Sequence, residues 1–102
     1  MFILSLTYVK PLGEIDKNLL GHRAYLDKYY NAKKFICSGR KNPRNGGIIL
    51  CNASDQDEVK NIIKEDPFFI NKVAEYEIIE FEPTKFAPGF DQFINLPDSN
   101  QQ

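Results

Sequence analysis

Phe35-Ile36-Cys37-Ser38-Gly39-Arg40-Lys41-Asn42-Pro43-Arg44-Asn45-Gly46-Gly47-Ile48-Ile49-Leu50-Cys51 is the stretch on which the fold turns. Two short, β-prone runs, Phe35–Ser38 and Ile48–Cys51, flank a polar segment rich in Gly, Asn and basic residues. A helix does not run through Pro43 and the paired glycines Gly46-Gly47. The segment therefore reads as two strands joined by a basic hairpin loop, Gly39–Gly47.

Upstream, Phe2, Leu4, Leu6 and Tyr8 alternate with Ile3, Ser5, Thr7 and Val9 until Pro11-Leu12-Gly13 stops the run, which is a strand pattern. From Ile15 the spacing changes to three and four. Ile15, Leu19, His22, Leu26 and Tyr29 make the apolar stripe of one amphipathic helix, and Asp16, Lys17, Asn18, Arg23, Asp27 and Lys28 fill its other face. Downstream, Ser54 is expected to cap a second helix with Val59, Ile62 and Ile63 as its buried side. That helix should end at Asp66, because the residue before Pro67 is pushed out of the α region. Val73–Phe81 reads as the last strand. Phe86, Phe90, Phe93 and Ile94 belong to an arm that begins near residue 82, so the domain should span 1–95, with 96–102 a flexible polar tail.

The order βαββαβ with right-handed crossovers leaves one compact arrangement: an α+β, ferredoxin-like fold with a four-stranded antiparallel sheet and two helices on one face. Ile48-Ile49-Leu50 and Ile78-Ile79 put apolar groups on both faces of their strands, yet the helices cover one. A homodimer formed through the open sheet face is the expected solution.

Composition narrows the function. The 102 residues are one domain's worth, and 42% hydrophobic with 26% charged is ordinary globular composition. A net charge of -1 and a pI near 5.8 give no electrostatic reason to bind nucleic acid or an anionic membrane. An RNA-binding module of the same element order is disfavoured further, because Gly46–Cys51 lacks the stacking aromatics its central strand needs. No apolar run is long enough to span a bilayer, and the N-terminus lacks the basic flank of a signal peptide. Cys37 and Cys51, with a single histidine, make neither a disulfide framework nor a metal motif; they read as half-buried thiols of a cytoplasmic protein.

His22 titrates near neutrality in model peptides and sits on the apolar stripe, so it is either a general acid/base lining a cleft or a hydrogen-bonded core histidine. Glu65-Asp66-Pro67-Phe68 puts carboxylates at a helix C-terminus, where the dipole opposes them. Asp66 is either a functional acid or the N-cap of a short turn opened by Pro67. Arg40, Lys41 and Arg44 are either an anion site or a solvated hairpin tip. Ser38 lacks the elbow motif of a nucleophile, and Tyr25, Tyr29 and Tyr30 suit the core and rim of a helix.

Together, Tyr8, His22-Arg23-Ala24-Tyr25-Leu26, Phe35-Ile36-Cys37-Ser38-Gly39, Gly46-Gly47-Ile48-Ile49-Leu50, Glu65-Asp66-Pro67-Phe68 and Ala74-Glu75-Tyr76-Glu77-Ile78 resemble the YCII-related proteins, up to about Phe81. The resemblance implies a dimeric α+β barrel and a cleft in which His22 and Asp66 form a catalytic pair. Ser38, Gly39, Arg40 and Phe68 are then the expected substrate-binding residues. Two positions depart from the family's usual pattern: Ser38-Gly39-Arg40 where a proline often follows the glycine, and Asn71-Lys72-Val73 where a glycine is common. A carboxylate beside the imidazole would fix one tautomer and favour proton abstraction by the other nitrogen. The implied function is a small enzyme that needs no metal or organic cofactor and carries out dehydrochlorinase-like elimination or isomerisation on a small aromatic or lactone substrate. The alternative is a non-catalytic ligand-binding or assembly domain of the same fold.

Overall fold

In a computed structural model that describes residues 1–94, the chain forms β1 (Phe2–Tyr8), α1 (Leu12–Lys17), α2 (Leu19–Asn31), β2 (Phe35–Arg40), β3 (Gly46–Cys51), α3 (Gln56–Ile63), α4 (Pro67–Ile70) and β4 (Ala74–Glu80), followed by a 3₁₀ turn at Phe90–Phe93. The expected polar tail, 96–102, lies outside the described residues. The strands make one antiparallel sheet in the order β2-β3-β1-β4, the ferredoxin-like arrangement.

Alternation in β1 sets the core. Phe2, Leu4 and Leu6 are buried beneath the helices and meet Ile49 and Cys51 of β3, with Ile15, Tyr25, Val59, Ile62, Ile63 and Phe68 packed over them. Ile3, paired with Leu50 on one side and Ile79 on the other, marks the opposite face, which no helix among the described residues covers. The central pairing is tight: a Cβ at Gly46 would overlap the Leu6 carbonyl, so only glycine fits opposite Thr7.

Five details depart from the sequence reading. The first helix is two, α1 and α2, broken at Asn18, whose backbone (φ -104°, ψ 1°) leaves the helix while its side chain bonds the Glu14 carbonyl at 3.0 Å. As a result Tyr25, absent from the expected stripe, is the buried residue of α2, while His22, Leu26 and Tyr29 are half-buried. The cap of the next helix is Asp55, not Ser54: the Asp55 carboxylate accepts the Glu58 N–H at 2.9 Å, and Ser54 instead donates to the Glu58 carboxylate. That helix closes at Ile63, three residues short of Asp66, and Asp66 begins a separate turn, α4. The hairpin loop is also shorter than expected, because β2 continues through Gly39 and Arg40 and β3 begins at Gly46. Finally, Cys37 and Cys51 are not alike. Cys37 pairs with Leu50 on the open face and is exposed, while Cys51 is buried under the helices.

Strand β2 carries one irregularity that shapes the site. Phe35 pairs with Cys51 but Cys37 pairs with Leu50, so the ladder takes in an extra residue at Ile36. Without it, Phe35 and Ser38 would lie on opposite faces. With it, Phe35, Ser38 and Arg40 all share the helix-covered face, opposite Cys51, Ile49 and Gly47.

Candidate active site

His22 enters from the first turns of α2 and Asp66 from the start of α4, and the two helices touch where Gly21 meets Pro67. A Cβ at Gly21 would come within 3.0 Å of the proline ring, so this glycine sets how closely the helices approach. His22 Nδ1 lies 2.8 Å from Asp66 Oδ1. The imidazole stacks flat on Phe68, centroids 4.0 Å apart at an interplanar angle of 4°, which fixes its plane as the hydrogen bond fixes its rotation.

Asp66 is completely buried and both of its carboxylate oxygens are hydrogen-bonded. Oδ1 accepts from His22 and from the Phe68 N–H at 3.0 Å, and Oδ2 accepts from the Tyr76 hydroxyl of β4. The two readings left open for Asp66 hold at once: it caps α4, with Pro67 in the first position, and it pairs with histidine. Burial, foremost, and then the neighbouring Tyr25 hydroxyl and Asp66 charge push the Tyr76 phenol far above its ordinary range, so it stays protonated and donates. Tyr25 is raised likewise, chiefly by burial, and its hydroxyl is buried with no hydrogen-bond partner among the described residues.

With the Asp66 carboxylate as acceptor, Nδ1 carries a hydrogen, which in the neutral imidazole leaves the lone pair on Nε2. Among the described residues Nε2 has no hydrogen-bond partner, and His22 lines a cavity of about 480 Å³. Leu6, Leu19, Leu26, Ile49 and Phe68 provide its apolar walls; Tyr8, Ser38, Arg23, Arg40 and Arg44 bring polar groups to it. The size suits a small ring compound.

The structure thus gathers His22, Ser38, Gly39, Arg40 and Phe68 around one cavity, with Asp66 behind His22 and reaching the cavity only through it. The Ser38 hydroxyl pairs with Tyr30 Oη at 2.6 Å and not with the imidazole. Tyr76 and Arg23 escaped the sequence reading as site residues. Tyr76 carried a faint signal, an aromatic two residues from Ala74 and Ile78 on the inward phase of β4; Arg23 carried none beyond its place next to His22. Among the described residues no cluster of His, Cys, Asp and Glu could hold a metal ion, and no helix is long and apolar enough to cross a membrane.

A family model described as the YCII-related domain matches residues 1–82. No curated protein sequence matches the chain. Among solved structures, a 5-chloro-2-hydroxyhydroquinone dehydrochlorinase from Burkholderia phenoliruptrix AC1100, in complex with 2,5-dihydroxybenzoquinone, superposes with a TM-score of 0.67. The two are 20% identical over 80% of this chain and 94% of that one, a likeness of fold.

Proposed function

The chain belongs to the YCII-related domain family, and from that premise we propose that it is a small acid/base enzyme, a lyase or isomerase that works without a cofactor on a compact cyclic substrate. The observation that carries the proposal is the His22–Asp66 pair at 2.8 Å with Nε2 left open beside the cavity. A fully buried histidine kept for packing alone would satisfy both nitrogens, whereas the half-buried His22 opens onto the cavity. Here one is held by a buried carboxylate and the other is free to take a proton, the arrangement of a general base.

The step it suits is simple. Nε2 removes a proton from a hydroxyl or an acidic carbon of the substrate, and the electron pair left behind forms a new C=O or C=C bond. In an elimination the pair displaces a leaving group such as chloride; in an isomerisation the imidazolium returns the proton at another carbon. Asp66 touches no substrate and acts as a positioning residue, holding the Nδ1–H tautomer and facing the charge that develops on the ring. Phe68, stacked under the imidazole, keeps it aimed at the cavity. Arg40, Ser38 and the Gly39 backbone would contact the substrate from β2. The dehydrochlorinase of the same fold, which holds a dihydroxylated quinone, supports a ring-sized ligand and a leaving group of this kind.

The functional unit we propose is a homodimer joined through the open sheet face, where Ile3, Ile48, Leu50 and Ile79 lie. The domain then includes the aromatic arm after β4, which is tied to the sheet by a 2.7 Å bond from Asn52 Nδ2 to the Phe93 carbonyl.

Chlorinated hydroquinones, phenols and enol lactones incubated in D₂O, followed by NMR for chloride loss or deuterium uptake, test the reading. At least one class should react with the wild type and fail with His22→Asn. Ligands that bind equally to both proteins with no exchange in either would make this a passive binding domain.

A further inference from the structure

Three arginines from three different elements line the same cavity as His22: Arg23 from α2, Arg40 from β2 and Arg44 from the hairpin loop. Asp16 is the one acid in the lining, and Arg44 already engages it at 2.9 Å. Among the described residues Arg23 and Arg40 make neither an ion pair nor a side-chain hydrogen bond. Two guanidinium forks are therefore presented to a space with largely apolar walls and without an acid of their own.

The backbone irregularity at Ile36 makes this more than a chance of surface composition. Were β2 regular from Phe35 onward, Arg40 would pair with Gly46 and fall on the open face. The extra residue moves it onto the face that holds His22, opposite Gly47. Gly47 contributes no side chain opposite Arg40, and a Cβ there would come within 3.0 Å of the Gly39 carbonyl.

We infer that the cavity takes a small molecule bearing an oxyanion, a carboxylate or a phosphate, which Arg23 and Arg40 hold while the reacting part of the molecule faces His22 Nε2. Guanidinium is the side chain that matches such groups with paired, charge-assisted N–H donors. The molecule is then gripped at one end by charge and presented to the base at the other, which positions it without any group that must move. The inference deepens the acid/base reading and rests on it for the role of the second end, while the anion preference itself is a statement about binding.

Calorimetric titration at low salt with 4-hydroxybenzoate, 4-hydroxyphenyl phosphate and neutral 4-hydroxybenzamide tests it. The amide matches the benzoate in shape and lacks its charge. At least one anion should bind about tenfold more tightly than the amide or better, and which anion does so identifies the group. The margin should shrink as ionic strength rises and fall to about twofold in the Arg23→Gln, Arg40→Gln double variant. It should survive in His22→Asn. Both arginines are exposed, so the variants should melt as the wild type does, and the salt series needs no substitution at all. An amide bound as tightly as the anions, a margin that persists without the arginines, or no anion binding at millimolar concentration would overturn the inference. Because every readout is binding, a protein that catalyses nothing can still satisfy it, and an enzyme of neutral substrates would fail it while keeping its His22-dependent turnover.

Discussion

Tyr76 of β4 donates its hydroxyl hydrogen to Asp66 Oδ2, the carboxylate oxygen that His22 leaves untouched. The imidazole, the carboxylate and the phenol come from three elements that meet only in the folded sheet. Removing the phenol leaves one oxygen of a fully buried carboxylate without a donor, and the carboxylate becomes free to turn away from the imidazole. Tyr76→Phe should therefore cost about 1.5–3 kcal/mol of stability, the range for hydrogen bonds to charged groups. It should also lower turnover about tenfold with KM little changed, since the residue reaches the substrate only through two others. The ¹⁵N shifts of the single histidine report its tautomers directly. Unchanged shifts with unchanged turnover would make Tyr76 a packing residue.

His22 and Asp66 should behave as a unit in function and separately in stability. His22→Asn and Asp66→Asn should each remove most of the activity, and the double variant should lose little more. Because Asp66 is completely buried, its substitutions should differ in stability. Asp66→Ala strips the Phe68 N–H and the Tyr76 hydroxyl of their acceptor at once and should cost about 3 kcal/mol or more, whereas Asp66→Asn retains one oxygen and should cost less. Additive losses of activity in a double-mutant cycle, or Ala and Asn variants of equal stability, would contradict this account.

The frame of the molecule was plain in the sequence because its punctuation is chemical: Pro43 and Gly46-Gly47 force the hairpin, and Phe2, Leu4 and Leu6 alternate cleanly. The break at Asn18 was hidden because Ile15 and Leu19 keep helical spacing across it, so periodicity runs on where the backbone does not. The irregularity at Ile36 left no trace either. An extra residue changes which face each side chain takes without changing composition, and so the placement of Ser38 and Arg40 beside His22 could be seen only from the register. Asp66 was visible as an anomaly at a helix end, but a cap and a functional carboxylate have the same local sequence, and only the distance to His22 joins them.

The thiols should differ in reactivity. Cys37 is exposed on the open face, while burial, aided by the charge of Glu58, pushes the Cys51 thiol up to about 11. In the single chain a maleimide should label Cys37 within minutes and Cys51 only on unfolding, dimer formation through the open face should slow the labelling of Cys37, and Cys37→Ala, Cys51→Ala should melt lower while keeping any activity. Labelling of both thiols at the same rate in the native state would show that the sheet opens at β3.

Acid should loosen the link between α3 and the start of β2. Lys34 Nζ sits 2.8 Å from the Glu58 carboxylate, and that bond, helped by the Ser54 N–H, holds Glu58 below the usual carboxylate range. A depressed carboxylate contributes stability that is fully present above its unfolded value and is lost as pH falls through its folded one. Melting temperature should therefore drop on the acid side of about pH 4.3, the ordinary glutamate value, and Glu58→Gln should flatten part of that slope. The pair is partly exposed, so the flattening should be small, within about 1 kcal/mol. An identical acid limb in Glu58→Gln would assign the loss to other carboxylates.

The open sheet face supplies the last test. Ile3 is flanked by Leu50 and Ile79, and Ile48 lies one pair further along β3, so four large aliphatic groups adjoin one another where no helix covers them. Towards the other end of the same face the side chains turn polar, with Ser5, Thr7, Glu75 and Glu77. An apolar patch rimmed by polar residues is the pattern of an interface core, and a second copy presents the same patch to itself about a two-fold axis. Ile48 and Ile79 are exposed in the single chain, and their burial against a second copy supplies the apolar contribution that favours a dimer. Sedimentation should show that dimer in the wild type. Ile79→Asp should dissociate it without unfolding the monomer, because Ile79 is exposed in the single chain and an aspartate there meets water unless a partner covers it. Truncation before Phe86 should weaken it, since Phe90 packs tilted on Phe86 at 6.1 Å and edge-on to Phe93 at 5.8 Å, and the Phe93 carbonyl accepts from Asn52 at the end of β3. A wild-type monomer at micromolar concentration would sink the dimer outright, and a dimer indifferent to Ile79→Asp would move its interface to another surface.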